Sequence, residues 1–143
     1  MNIALILLIV ILACIVLLVI PLCRENFDDS DPKIHEMLDK LIKVDPAAKN
    51  IRMSRGNKSY TINKKTVYLC LYDENGNYYD DNLLMYVSLH ELAHVKNDEK
   101  GHTKKFYRIF DELQDKAAAM GYFDKNAPLD QNYCEFKTAA KSE

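Results

Sequence analysis

The chain has 143 residues, 48% of them hydrophobic, with 19 basic and 21 acidic side chains and a formal net charge of −2. That length fits one small domain plus an appendage rather than two ordinary domains. The charge balance argues against a nucleic-acid partner, and Lys104, Lys105 and Arg108 read as a solvated helix face.

The hydrophobic residues are unevenly spread. Residues 3–20 read IALILLIVILACIVLLVI, without charge, Pro or Gly. Extended to Cys23, a helix of this length spans roughly 31 Å, close to the ~30 Å hydrocarbon core of a bilayer. The run lacks the basic leader and the small-x-small cleavage site of a secretory signal. Residues 1–23 are therefore expected to form one N-terminal transmembrane helix, making the membrane a partner. Arg24, Lys33, Lys40 and Lys43 follow it, and the positive-inside rule then places the rest of this single-pass chain in the cytoplasm. Cys70 and Cys134, outside that run, make no disulfide framework and are compatible with a reducing compartment.

Residues 24–30 read as a polar linker and 31–123 as the folded domain. Ser30 or Asp31 can cap a helix that has Pro32 at its first position. Ile34, Met37, Leu38, Leu41 and Ile42 give that helix one apolar face, and Asp45-Pro46 ends it. Three short strands are expected at 50–54, 59–63 and 66–73, the last with Val67, Leu69 and Leu71 alternating with Tyr68, Cys70 and Tyr72. A helix over 82–97 follows, and a final one runs from a Thr103 cap to about Met120 with Gly121 at its stop. Residues 124–143 read as a loosely ordered tail. The soluble part is thus α+β, with a short antiparallel or mixed sheet and about three helices.

The chemistry lies at residues 90–102. His90-Glu91-Leu92-Ala93-His94 is an H-E-x-x-H motif. Histidines at i and i+4 share one helix face, so both imidazoles can reach one zinc ion. Glu91 is then placed as general base, and Leu92 and Ala93 face the core. A catalytic zinc needs a third protein ligand and an open position for water. His102 follows the motif helix, where a loop can fold it back onto the metal, and Glu99 is the alternative ligand. His102 also has a plainer reading as a helix-start residue, and His35 reads as a surface residue of the first helix. The chemistry so implied is metal-assisted hydrolysis of a peptide bond in a protein or peptide substrate, with Glu91 moving the proton. An oxyanion donor is also needed, for which Tyr86, Tyr107 and Arg108 are close in sequence.

These residues resemble the core of the WLM and SprT-like metallopeptidases. The matching pieces are Leu69-Cys70-Leu71-Tyr72, His90 to His94, Gly101-His102, Phe106 and Asp111-Glu112-Leu113, within residues 60–115. The resemblance implies a minimal zincin-like fold, Zn2+ held by His90, His94 and His102, and Glu91 as catalytic acid and base. The WLM pattern has a shorter spacer than the seven residues between His94 and His102, whereas SprT-like spacers are longer and variable. Relatives that cleave DNA–protein crosslinks are soluble and carry DNA- or partner-binding tails, so that substrate is not carried over. Two readings of different class follow: a membrane-anchored zinc metallopeptidase, and an inactive zincin-like zinc-binding module at a membrane.

Overall fold

The computed structural model describes residues 2–22 and 31–134, with side chains of the first helix described as far as Ile15. The expected linker 24–30 and the end of the expected tail, 135–143, lie outside the described residues.

Helix α1 spans Ile3–Leu22, and the large hydrophobic side chains described on it are exposed. Among the described residues, no helix is long and apolar enough to cross a membrane. The transmembrane helix expected over residues 1–23 is thereby corrected.

The folded domain begins at α2, Pro32–Val44. Asp31 caps it by accepting from the Lys33 backbone N–H, and Pro32 fixes the first turn. Its stripe of Ile34, Met37, Leu41 and Val44 is buried. Asp45 ends the helix and caps the 3-10 turn Pro46–Asn50 in the same stroke, its side chain accepting from the Ala47 N–H at 2.9 Å.

The sheet is small and mixed. Strands β1 (Arg52–Arg55), β2 (Tyr60–Ile62) and β3 (Thr66–Leu69) lie in the order β1-β3-β2. β1 runs parallel to β3, and β2 runs antiparallel to it. Asn63 and Lys64, at φ 50° and 56°, form the tight turn between β2 and β3. Positive φ at both central residues suits a type I′ hairpin turn, whose twist matches the strands it joins. Gly56 is required by close approach: a Cβ there would lie 2.9 Å from the Lys58 carbonyl oxygen.

Two expectations change here. The strand expected over 66–73 ends at Leu69, and Val67 through Leu71 are all buried, so it is not half-exposed. The reason is the C-terminal segment. Tyr133 is fully buried, donates to the Cys70 carbonyl at 2.8 Å and lies 2.5 Å from the Ser59 hydroxyl. Cys134 is disulfide-bonded to Cys70, with Cα atoms 6.5 Å apart. Tyr133 and Cys134, at the end of a stretch read as loose, therefore cover the chain where β3 ends, and the cysteines read as compatible with a reducing compartment are bonded.

Helix α3, Asp81–Lys96, is the central element. Asp80 caps it through the Asn82 and Leu83 N–H groups. Most of its residues from Leu83 to Ala93 are buried, which is why it lacks a polar stripe. Buried Ser88 satisfies its hydroxyl on the Leu84 carbonyl at 2.7 Å. Helix α4, Lys104–Ala119, packs on it through Phe106, Phe110, Leu113 and Ala117.

Candidate metal and catalytic site

The i, i+4 spacing on α3 sets the first half of the site. His90 and His94 present their Nε2 atoms 3.2 Å apart. His102 comes from the loop between α3 and α4. Asn97 closes α3 with its N–H on the Ala93 carbonyl, and Gly101 at φ 76° reverses the chain in a conformation that L side chains rarely adopt. The loop thereby returns His102 to the start of α4, where its Nε2 lies 3.2 Å from that of His94 and 3.1 Å from that of His90. The three nitrogens form a nearly equilateral triangle.

Hydrogen bonding alone does not account for that triangle. A neutral imidazole Nε2 either donates or accepts. Among three mutually adjacent nitrogens, every choice of tautomers leaves at least one pair alike, either donor facing donor or lone pair facing lone pair. A common electrophile removes the conflict, because all three lone pairs can then aim at one point. The separations are close to the ~3.3 Å edge of a tetrahedron with ~2.05 Å metal–nitrogen bonds. The three histidines could hold a metal ion.

The surroundings favour neutral imidazoles. Burial, with help from His94 and His102, pushes His90 down to about 3. Burial, then the charges of His102 and Lys64, also lowers His94. A metal needs the deprotonated ring, so protons compete less here than on an exposed histidine. Phe106 supports the cluster: its ring centroid lies 5.0 Å from His90, 4.5 Å from His94 and 4.7 Å from His102. His102 is thus both a helix-start residue, packed one turn from Phe106, and a member of the triad.

Glu91 is 2% exposed, facing inward beside the triad, and its carboxylate Oε2 accepts a hydrogen bond from the Thr61 hydroxyl at 2.6 Å. An open cavity of about 980 Å³ lies over the site, lined by the three histidines, Glu91, Tyr60 and Thr61 of β2, and Tyr86. Of the three sequence candidates for an oxyanion donor, Tyr86 lines this cavity, whereas Tyr107 and Arg108 do not. Glu99 lines it too, but the nitrogen triangle is closed by His102. His35 is exposed and bonded to the Asp31 carbonyl.

Sequence reasoning missed Thr61, Phe106 as a support, and Lys64. Lys64 donates to the Asn97 carbonyl and holds the end of α3 against the β2–β3 turn. Helical spacing from His102 could have pointed to Phe106. No sequence signal joins Thr61 or Lys64 to α3, because both contacts are tertiary.

No protein-family model matches the chain, and no solved structure matches it. It is similar to uncharacterized protein 136R of Invertebrate iridescent virus 6, 51% identical over 87 residues that make up 59% of this chain and 49% of that one. It is also similar to uncharacterized protein 042R of Invertebrate iridescent virus 3, 46% identical over 86 residues, 59% of this chain and 54% of that one. A third similarity, 50% over 54 residues, covers 36% of this chain and 27% of an uncharacterized protein of Acanthamoeba polyphaga mimivirus. The chain spans about half the length of the first two of these relatives.

Proposed function

We propose that this chain is a zinc-dependent peptide hydrolase of the minimal zincin kind, resembling the WLM and SprT-like metallopeptidases. The observation that carries the reading is the triangle of Nε2 atoms, 3.1–3.2 Å on a side, beside the inward carboxylate of Glu91. His90, His94 and His102 would hold the metal. Zn2+ in such a site supplies a Lewis acid that polarises a carbonyl and acidifies water.

The chain's own residues do the rest. Glu91 accepts the proton of the attacking water and returns it to the nitrogen of the leaving amine. The low exposure of Glu91 keeps that carboxylate away from bulk water, so proton transfer goes to the substrate and not to solvent. Tyr86 is the candidate donor to the developing oxyanion, because it alone of the three sequence candidates faces the cavity. The open mouth suits an extended or unfolded peptide as substrate.

The test is metal content and peptide cleavage by the full chain beside Glu91→Gln. The expected outcome is about one zinc per chain in both proteins, with cleavage of an unfolded protein substrate in the wild type and its loss by several orders of magnitude in the variant. Zinc in both with cleavage in neither would move the inactive binding module ahead. Absence of zinc from the wild type would sink the reading.

A further inference from the structure

The Cys70–Cys134 bond opens onto a cavity of its own, distinct from the one over the histidine triad. That second cavity, of about 300 Å³, is lined by both cysteines together with Arg55, Asn57 and Tyr79. Ser59 lines the first. A knot of hydrogen bonds joins the two. The Cys70 N–H donates to the Ser59 hydroxyl at 2.8 Å. Tyr133, the residue beside Cys134, meets both the Cys70 carbonyl and the Ser59 hydroxyl. Ser59 leads directly into β2, whose Tyr60 and Thr61 line the triad cavity. A change at the sulfurs therefore reaches the wall of the site through Tyr133 and Ser59.

We propose that the Cys70–Cys134 bond is a thiol–disulfide exchange site opened by a dithiol reductant, and that its opening loosens the Ser59–β2 wall of the triad cavity. Only the effect on turnover rests on the hydrolase reading. Access is one of the factors that decide how fast a disulfide exchanges. Cys70 is 5% exposed, but Cys134 is only half-buried, and both face the second cavity. A thiolate of the reductant attacks the Cys134 sulfur, the S–S bond breaks, and Cys70 leaves as a thiolate that takes a proton from water. The reductant's second thiolate then attacks its own first sulfur in the mixed disulfide and frees Cys134. The Tyr79 hydroxyl, 3.7 Å from the Cys134 sulfur, is placed to donate to that thiolate. Burial, then the charges of Asp130 and Asp73, raise the Tyr79 phenol, so it keeps its proton. Two electrons pass to the protein, two thiols replace the bond, and the reductant ends as a disulfide. The chain beside Tyr133 is then no longer tied to the end of β3.

The experiment poises the full chain in mixtures of reduced and oxidised dithiothreitol at neutral pH, without denaturant. Alkylation and peptide mapping read the state of Cys70 and Cys134. Hydrogen exchange over residues 58–71 reads the wall, with α2 as the internal reference. Cleavage of a peptide substrate is measured after the dithiothreitol, itself a zinc ligand, is removed and zinc is restored. Cys134→Ser is carried alongside as a chain that cannot form the bond.

The expected result is that both cysteines become alkylated together and exchange over 58–71 rises on the order of tenfold while α2 is unchanged. Cleavage falls severalfold at constant zinc content, and oxidised dithiothreitol restores all three readouts. Cys134→Ser is expected to match the reduced chain and to ignore the reductant. A bond that opens only in denaturant would overturn the exchange site and leave a structural staple. An open bond with unchanged exchange over 58–71, with equal cleavage in both states, or with α2 exchanging as fast as the wall would overturn the link to the cavity. If the wild type cleaves nothing in either state, the hydrolase reading fails, while alkylation and hydrogen exchange still decide the role of the bond.

Discussion

At the scale of single residues, the site is governed by burial. His90 is held near 3 in the folded, metal-free chain, against an ordinary value of 6.5. Between those two values the unfolded chain carries a proton on this ring and the folded chain does not. The unfolded state binds more protons, so stability rises with pH across that window and is lost as pH falls below about 6.5. The expected slope is on the order of 1 kcal/mol per pH unit, read from urea midpoints of metal-free protein between pH 6.5 and 4.5. His90→Phe, which cannot protonate, is expected to flatten the slope. A profile as steep in the variant as in the wild type would show that another group carries the effect. Gly101 is a second case. At φ 76° an alanine is strained, so Gly101→Ala is expected to cost about 1 kcal/mol and to weaken metal binding by displacing His102. Metal titration and thermal melting of the variant check the two effects separately.

At the scale of elements, Asp45 joins three of them. It ends α2, caps the 3-10 turn, and is ion-paired with Lys96 at the end of α3. Burial raises its pKa, but the Lys96 hydrogen bond, the Ala47 N–H and the charges of Lys96 and Lys116 outweigh burial, so its pKa is lowered. A depressed carboxyl gives stability that is present above its unfolded value of about 3.9 and is lost as pH falls through the folded value. Asp45→Asn is therefore expected to cost about 1–3 kcal/mol at neutral pH, with the gap from wild type closing below about pH 4. A gap unchanged down to pH 3 would count against the ion pair as its source. Elements are also where the sequence is most and least readable. The stripe of α2, the Asp31 and Thr103 caps and the H-E-x-x-H spacing are local patterns, and each is found where periodicity and capping chemistry put it. The parallel pairing of β1 with β3 and the Thr61–Glu91 bond are not local, since no composition or period encodes which strand meets which helix. His102 is intermediate: its type and nearness suggested a ligand, but only the loop geometry brings its Nε2 beside those of His90 and His94. The apolar run at the start was read from its length, its lack of charge and its missing cleavage site, and the membrane-spanning helix so expected is corrected.

At the scale of the whole molecule, the C-terminal segment closes the fold. The Cys70–Cys134 bond spans a sequence separation of 64, and such a loop removes on the order of 4 kcal/mol of chain entropy from the unfolded state. Cys134→Ser is expected to lower stability by up to that amount. The segment also reaches the candidate site, because Tyr133 meets Ser59, which lines the cavity over the histidine triad just before β2. Tyr133→Phe is expected to lower kcat by severalfold with little change in metal content, measured on the same peptide. Loss of the metal in that variant would instead make Tyr133 a support of the triad.

The return of His102 across the 97–101 loop has one more consequence. Two histidines of the triad sit on α3 and the third stands at the threshold of α4, so a bound ion would fasten one helix to the next as a rivet does. Lys100 is exposed in the loop between them. Trypsin is expected to nick the chain there quickly when a chelator is present and slowly when zinc is restored. Metal supply would then govern how long each copy survives among proteases, apart from any reaction it performs.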